Sequence, residues 1–257
     1  MTWLPDNVDL VLNLTGTHLF QSVLPVVLGL LISIPLARIA AGSKLLRPLM
    51  VNGAALLYTI PSLTLFVLLP VILGTRITSV VNVIVALTIY VVAILVRSCT
   101  DAFAAVDRSV LQAATAVGYT PWQRFFAVEL PLAVPVMLAG VRTALVANIS
   151  MVSVGAVIGI QSLGTLFTDG LRRSIPEEIV VGVVLTVILA VGLDQLLRLL
   201  GHYLTRWQRI GRIRRTDHND VAPLTSADSP HLDSTSQDGV PGADDSARRI
   251  AATGGAA

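Results

Sequence analysis

Residues able to make or break bonds are sparse in this chain and badly spaced for catalysis. Its four histidines, His18, His202, His218 and His231, lie far apart and form no HExxH or other metal-ligand spacing. The single cysteine, Cys99, rules out an internal disulfide and a CxxC pair. At the end of an apolar run it reads as a small apolar side chain. There is no GxxxxGKS or GxxxxGKT loop to cradle a nucleotide phosphate. The informative residues are of another kind. Arg142 and Asp194 are charges inside apolar runs. Asp107 to Pro131 is a stretch of small, aromatic and turn-forming residues. Such residues do the chemistry of recognition, packing and topology.

The elements that must position them are set by composition. Of 257 residues, 54% are hydrophobic and 13% are charged, against about 25% charged in a soluble domain. A membrane helix needs roughly 20 mostly apolar residues. Five stretches qualify: Leu19 to Ala37, Leu49 to Gly74, the interval between Arg76 and Arg97, Pro135 to Ile160 with Arg142 inside, and Ile179 to Leu197 with Asp194 near its end. The expected class is an all-α membrane protein with about five transmembrane helices. The uncharged stretch from Thr143 to Thr168 exceeds one span, so its end is expected to be re-entrant or extramembrane. Residues 1–18 hold Asp6 and Asp9 and no Lys or Arg. They are read as an extracytoplasmic segment without a cleavable signal peptide.

Charge sets the orientation. With the N-terminus outside, the inner side holds Arg38, Lys44, Arg47, Arg97, Arg108, Arg124, Arg198, Arg206, Arg209, Arg212, Arg214 and Arg215. The outer side holds only Arg76, Arg172 and Arg173. The N-terminus is therefore expected outside and the C-terminus in the cytoplasm. The net charge of +2 conceals a division. Residues 1–215 carry 16 Arg and Lys against 9 Asp and Glu, and residues 216–257 carry 2 against 7. The basic residues flank apolar runs and act as topology signals; no nucleic-acid partner is implied. The expected organisation is a transmembrane domain over 19–200, a basic juxtamembrane segment over 201–215 and an acidic tail over 216–257. The tail has no aromatic residue and too little apolar surface to offset ordering entropy, so it is read as disordered.

The inner loop between the third and fourth spans, residues 103–131, is the most informative segment. Val110, Leu111, Ala114 and Val117 fall at helical spacing, and Gly118 suits a C-terminal cap. A second short helix opens with Thr120 as N-cap and Pro121 at its first position. Trp122, Phe125 and Phe126 form an exposed aromatic cluster, unusual for a plain loop. The loop is thus a rigid apolar hairpin that calls for a partner. Gln112-Ala113-Ala114, Gly118 and Leu130-Pro131 resemble the cytoplasmic signature of ABC importer permeases: Glu-Ala-Ala, three residues, Gly, then Leu-Pro some twelve residues on. Gln112 stands where that family has Glu, so a salt bridge made by the Glu becomes a neutral hydrogen bond.

The resemblance covers about residues 15–200. Thr59-Ile60-Pro61-Ser62-Leu63, the run Val128 to Pro135 and Ala139 to Ala144 are similar to the osmoprotectant branch, which imports glycine betaine, choline, carnitine, proline and related compounds. Gly159-Ile-Gln-Ser-Leu-Gly164 departs from it, with Gln161 and Ser162 where relatives usually carry glycines. The resemblance implies a type I permease fold in a prokaryotic cytoplasmic membrane. It also implies a second permease, two ATPase subunits that hold ATP and magnesium, and an extracytoplasmic solute-binding protein. The chain itself is then no enzyme and binds no cofactor. Gln112, Ala113, Ala114, Gly118, Tyr119, Trp122, Leu130 and Pro131 become the ATPase-coupling surface.

Tyr58, Thr59, Pro61, Ser62, Arg142, Asn148 and Ser153 are candidates for the translocation path or its gate. Pro61 should kink or break the second span, with Thr59 and Ser62 placed to satisfy freed backbone groups. Tyr58 and Phe66 could offer ring faces to a quaternary ammonium. Arg142 lies roughly 10 Å along the helix from Pro135 and is read as snorkelling to the inner interface. Asp194 is read as pairing with Arg198 one turn on. Asn148 and Ser153, with Ser150, Gly155 and Gly159, give the fourth span a small, polar face suited to helix packing. An importer for methionine, sulfonate or an oxyanion would share this architecture. A stand-alone secondary transporter would need acidic residues mid-span, and a membrane enzyme would need a catalytic constellation.

Overall fold

The computed structural model describes residues 3–204, all of the transmembrane domain but not the acidic tail. The expectations for residues 205–257 lie outside the described residues. After a short turn, α1 (Trp3–Asp6), the chain enters α2 (Val8–Ala41). This helix has 34 residues and is about 51 Å long at 1.5 Å per residue. It is longer than the expected first span. Residues 8–18 are not a separate segment but the first turns of the same helix.

The second expected span is broken into α3 (Leu46–Tyr58) and α4 (Ser62–Leu73), bent by 98°. Proline is the cause. It has no N–H for the helix ladder and pushes the preceding residue out of helical geometry. Pro61 has φ −60° and ψ 133° and caps α4. Helix α5 (Val80–Ala104) follows and runs past Arg97. The next segment comprises α6 (Arg108–Ala116), α7 (Pro121–Arg124), a π-helical turn (Phe125–Glu129) and α8 (Leu130–Gly155). The expected second loop helix is therefore not free-standing. From Pro121 it continues through the π turn into the fourth span, a helical stretch of 38 residues to Ile158.

Beyond α8 a short 3-10 turn leads to α9 (Gly164–Arg173) and then α10 (Pro176–Leu204). The end of the overlong uncharged stretch is thus a turn and a short helix tucked against the bundle. Among the described residues, four helices are long and apolar enough to cross a membrane, and the bent α3–α4 pair makes five if counted as one span.

Helix α5 is the hub. Val83, Leu87, Val91, Leu95 and Cys99 are almost wholly buried between α2, α4 and α8. In lipid, apolar side chains gain little by leaving the solvent, so close packing of backbones decides which helices associate. Two glycines allow it. A Cβ on Gly29 of α2 would lie 2.3 Å from Val91 Cγ1, and one on Gly140 of α8 would lie 2.0 Å from Ser98 Oγ. Helix α10 is the opposite case. Only Glu178, Gly182 and Gly201 are buried, and Val180, Val184, Val187, Ile188 and Val191 face outward.

Candidate functional site

The hairpin of α6 and α7 is built by its own sequence. Asp107 accepts the Ser109 N–H at 2.8 Å and caps α6. That bond holds the Asp107 carboxyl below the usual carboxylate range. Helix α6 is stopped by Gly118, two residues past its end, whose φ of +96° is a conformation that side chains rarely adopt. The Gly118 N–H donates to Thr115 O at 3.0 Å and the Tyr119 N–H to Ala114 O at 3.1 Å, closing the last turn. Thr120 and Gln123 then form a reciprocal capping box at 3.4 and 3.0 Å. Arg124 Nη1 donates to Thr115 Oγ1 at 3.0 Å and ties the two arms together.

Among the described residues little covers this hairpin, although Leu111 of α6 is half-buried against the core. Neither α6 nor α7 has a buried residue. Gln112, Ala113, Gly118 and Tyr119 are exposed, and Ala114 is half-buried. Val117 is 80% exposed, and Trp122 at 73% stacks on Phe126 with ring centroids 6.0 Å apart. Shallow grooves flank the tip, one bordered by Gln112, Thr115 and Arg124, the other by Gly118, Tyr119 and Phe126. Leu130 and Pro131 sit apart from this surface. They are half-buried at the start of α8, directly after the π turn, where Pro131 has no N–H to give to the preceding turn.

The seven path candidates do not converge. Tyr58, Thr59, Pro61 and Ser62 lie at the α3–α4 break. Thr59 Oγ1 donates to Leu56 O at 2.7 Å, as its position predicts. At the same break the Ile60 carbonyl accepts the Tyr90 hydroxyl from α5. Tyr58 packs edge-on against Tyr90 at 5.9 Å. Phe66 is wholly buried, so its ring offers no open face to a cation. Arg142 does not snorkel alone. Its Nε and Nη2 donate to Asp194 Oδ1 and Oδ2 at 2.7 and 2.9 Å, and Arg198 joins the same carboxylate at 3.1 Å. The expected Asp194–Arg198 pair is thus part of a bidentate clamp between α8 and α10. Asn148 is buried, and its Nδ2 donates to Ser22 O of α2 at 2.6 Å. Ser153 abuts Gly164, where a Cβ would come within 2.3 Å of the Ser153 carbonyl oxygen.

A family profile for the inner membrane component of binding-protein-dependent transport systems matches residues 29–210. The chain belongs to this family of membrane permeases. The permease is 34% identical over 203 residues to the osmoprotectant import permease protein OsmW of Salmonella typhimurium, covering 78% of this chain and 94% of that one. It is 32% identical over 197 residues to the glycine betaine/carnitine/choline transport system permease protein OpuCB of Bacillus subtilis, covering 77% and 89%. Its fold matches a solved structure of the inward-facing MetNI methionine ABC transporter with a TM-score of 0.65 at 22% identity, over 77% of this chain and 96% of that one.

At the end of the permease opposite the hairpin, the structure assembles a polar junction that sequence reasoning missed. His18 is wholly buried, and its Nδ1 accepts the Leu163 N–H at 3.3 Å. Gln21 Nε2 donates to Gln161 O at 3.0 Å. Ser162 Oγ accepts the Gly164 N–H at 3.1 Å and donates to Val152 O at 3.4 Å. Gln161 and Ser162 therefore have distinct parts: Gln161 offers its carbonyl, and Ser162 shapes the turn with its hydroxyl. One signal was available. His18, Gln21 and Ser22 fall at i, i+3 and i+4, a polar stripe on an otherwise apolar helix.

Proposed function

We propose that this permease is the membrane subunit of an ATP-driven importer of osmoprotectants such as glycine betaine, choline or carnitine, working by alternating access. The observation that carries the reading is the α6–α7 hairpin. It is folded, capped and braced, yet among the described residues none of its side chains is fully buried and its aromatic tip stands exposed. Ordering such a segment costs conformational entropy, and a preorganised apolar face lowers the cost of docking a partner. The occupant proposed is a separate ATPase subunit, two copies per transporter, each holding ATP and magnesium. Gln112, Ala113, Ala114, Gly118, Tyr119 and Trp122 would enter its cleft. Gln112 would meet it through a neutral hydrogen bond.

The basic residues gathered at the hairpin end support the reading that this end faces the cytoplasm and the N-terminus lies outside. A second permease, identical or different, would complete the path, and an extracytoplasmic binding protein would deliver the solute. The solutes that OsmW and OpuCB are named for support the solute class. The likeness to a methionine transporter concerns the fold alone.

The test is co-purification from mild detergent, followed by uptake of labelled glycine betaine and choline in proteoliposomes containing the recovered subunits and the binding protein. A stoichiometric ATPase and ATP-dependent uptake are expected. A stable permease that comes out with no ATPase in several detergents would sink the coupling reading. An ATPase-bearing complex that takes up neither compound would sink the solute class alone.

A further inference from the structure

Among the described residues no side chain of α6 or α7 is fully buried and half-buried Leu111 is the one that packs on the core, so displacement of the hairpin must reach the membrane helices mainly through a few further side chains. The π turn that follows it supplies them. Phe125 and Glu129 are its only buried residues, 7% and 5% exposed and one turn apart. Phe125 packs against Phe103 of α5 with ring centroids 5.7 Å apart. Arg38, in the last turn of α2, engages both. Its guanidinium carbon lies 5.7 Å from the Phe125 ring centroid, and its Nε lies 3.5 Å from Glu129 Oε2. A buried carboxylate in a membrane protein is costly and tends to mark a functional element. The turn around it is wound with one extra residue, the Leu130 N–H donating to Phe125 O five positions back. Such bulges are points where a helix can change register and direction. The chain connects the hairpin covalently to α5 at one end and to α8 at the other, but not to α2. Arg38 connects it to α2, the longest helix.

We propose that Arg38 and Glu129 are positioning residues of the coupling step. They form a joint that passes displacement of the hairpin to α2 at the same time as α8. The proposal rests on the hairpin being the ATPase-docking element. The pair does not build the docking surface, which lies on α6 and α7. Its loss should therefore separate ATP hydrolysis from transport. A pair that served stability alone would behave otherwise. Arg38→Gln strands the buried Glu129 carboxylate and destabilises, whereas neutralising both removes that penalty.

The experiment uses the complete complex in proteoliposomes, with Glu129→Gln, Arg38→Gln and the double variant beside the unmodified protein. Four quantities are measured: co-purified ATPase, ATP hydrolysis, Tm, and uptake per ATP of whichever of labelled glycine betaine or choline the unmodified complex accumulates. The expected result is normal ATPase recovery and continued hydrolysis in all variants. Each single variant should lower uptake per ATP about tenfold, as for an ordinary coupling energy. The double variant should lower it no further while its Tm returns to normal. Normal uptake per ATP in the double variant would overturn the joint and leave a structural pair. Loss of the ATPase from the variants would also overturn it, because the pair would then shape docking. An unmodified complex that recovers no ATPase removes the docking reading, and this proposal with it.

Discussion

The two ends of the bundle are organised on opposite principles. At one end, the hairpin is held by contacts between near neighbours in sequence: Asp107 with Ser109, Thr120 with Gln123, Arg124 with Thr115. Its surface is exposed and aromatic. At the other end, the polar junction is held by contacts between His18 and Leu163 and between Gln21 and Gln161, about 140 residues apart. Its side chains are buried. A part that must present itself to something else carries its own folding instructions. A part that only holds helices together borrows them from the whole chain.

This contrast can be broken by substitution, and the largest effect is expected at the exposed end. Gly118→Trp places a side chain at φ +96°, strained in any surroundings, and spoils the docking face. Uptake should fall to background while the protein still inserts and keeps its helicity by circular dichroism. Normal uptake would show that the tip of the hairpin is not the docking surface. The buried end should answer in stability instead. His18→Leu leaves the buried Leu163 N–H without its acceptor, a cost of about 1–3 kcal/mol. Tm should drop while ATPase recovery stays normal. An unchanged Tm would mean that the junction is not what pins the 161–164 turn.

Between the ends lies the α8–α10 clamp. Asp194→Asn should lower Tm more than Arg198→Ala, because Asp194 holds two arginines whereas Arg198 is the more exposed partner. Equal effects would assign the clamp to the i,i+4 pair alone. The smallest effects belong to the hairpin's own chemistry. Gln112→Glu should leave uptake within about twofold, since the side chain is exposed and its neighbours in the groove include Arg108 and Arg124. The Asp107 carboxyl is held low by the Ser109 N–H. Its capping contribution is full above the ordinary aspartate range and is lost as pH falls through the lowered value. Asp107→Asn keeps the cap and removes that dependence. Hydrogen exchange at the Ser109 amide, compared between the two proteins at each pH, would show it. Parallel curves would mean that the cap does not titrate.

The same contrast explains what could be read from the sequence. Thr120, Pro121 and Gly118 act through residues one to four positions away, so the turn of the hairpin and the start of its second arm were legible from spacing, whereas the continuation of that arm into the fourth span was not. The apolar runs likewise announced the spans, because length and composition alone decide whether a helix can cross a bilayer. Pairings between distant elements left no such mark. Asp194 was assigned to Arg198 because that partner is a turn away, and its closer bond to Arg142 needed the packing of α8 on α10. The Tyr90 hydroxyl on Ile60 O and the Arg38–Glu129 pair depend in the same way on which helix lies beside which. The π turn was hidden for another reason: Phe125 to Glu129 is as good an α-helical sequence as any.

Helix α10 shows what this loose attachment means for sequence change. It touches the rest of the bundle closely at Gly182, which sits under Phe167, at Gly201, which sits under Leu138, and at Asp194 between them. These act as three rivets along a rod. Leu185, Leu189, Leu193 and Leu197 lean on the bundle, but outward-facing Val183, Val184, Val187, Ile188 and Val191 meet only the surroundings, so exchanges among valine, leucine and isoleucine at those five should pass unnoticed. A deep substitution scan of this helix should give a nearly flat profile broken by a few sharp intolerant positions.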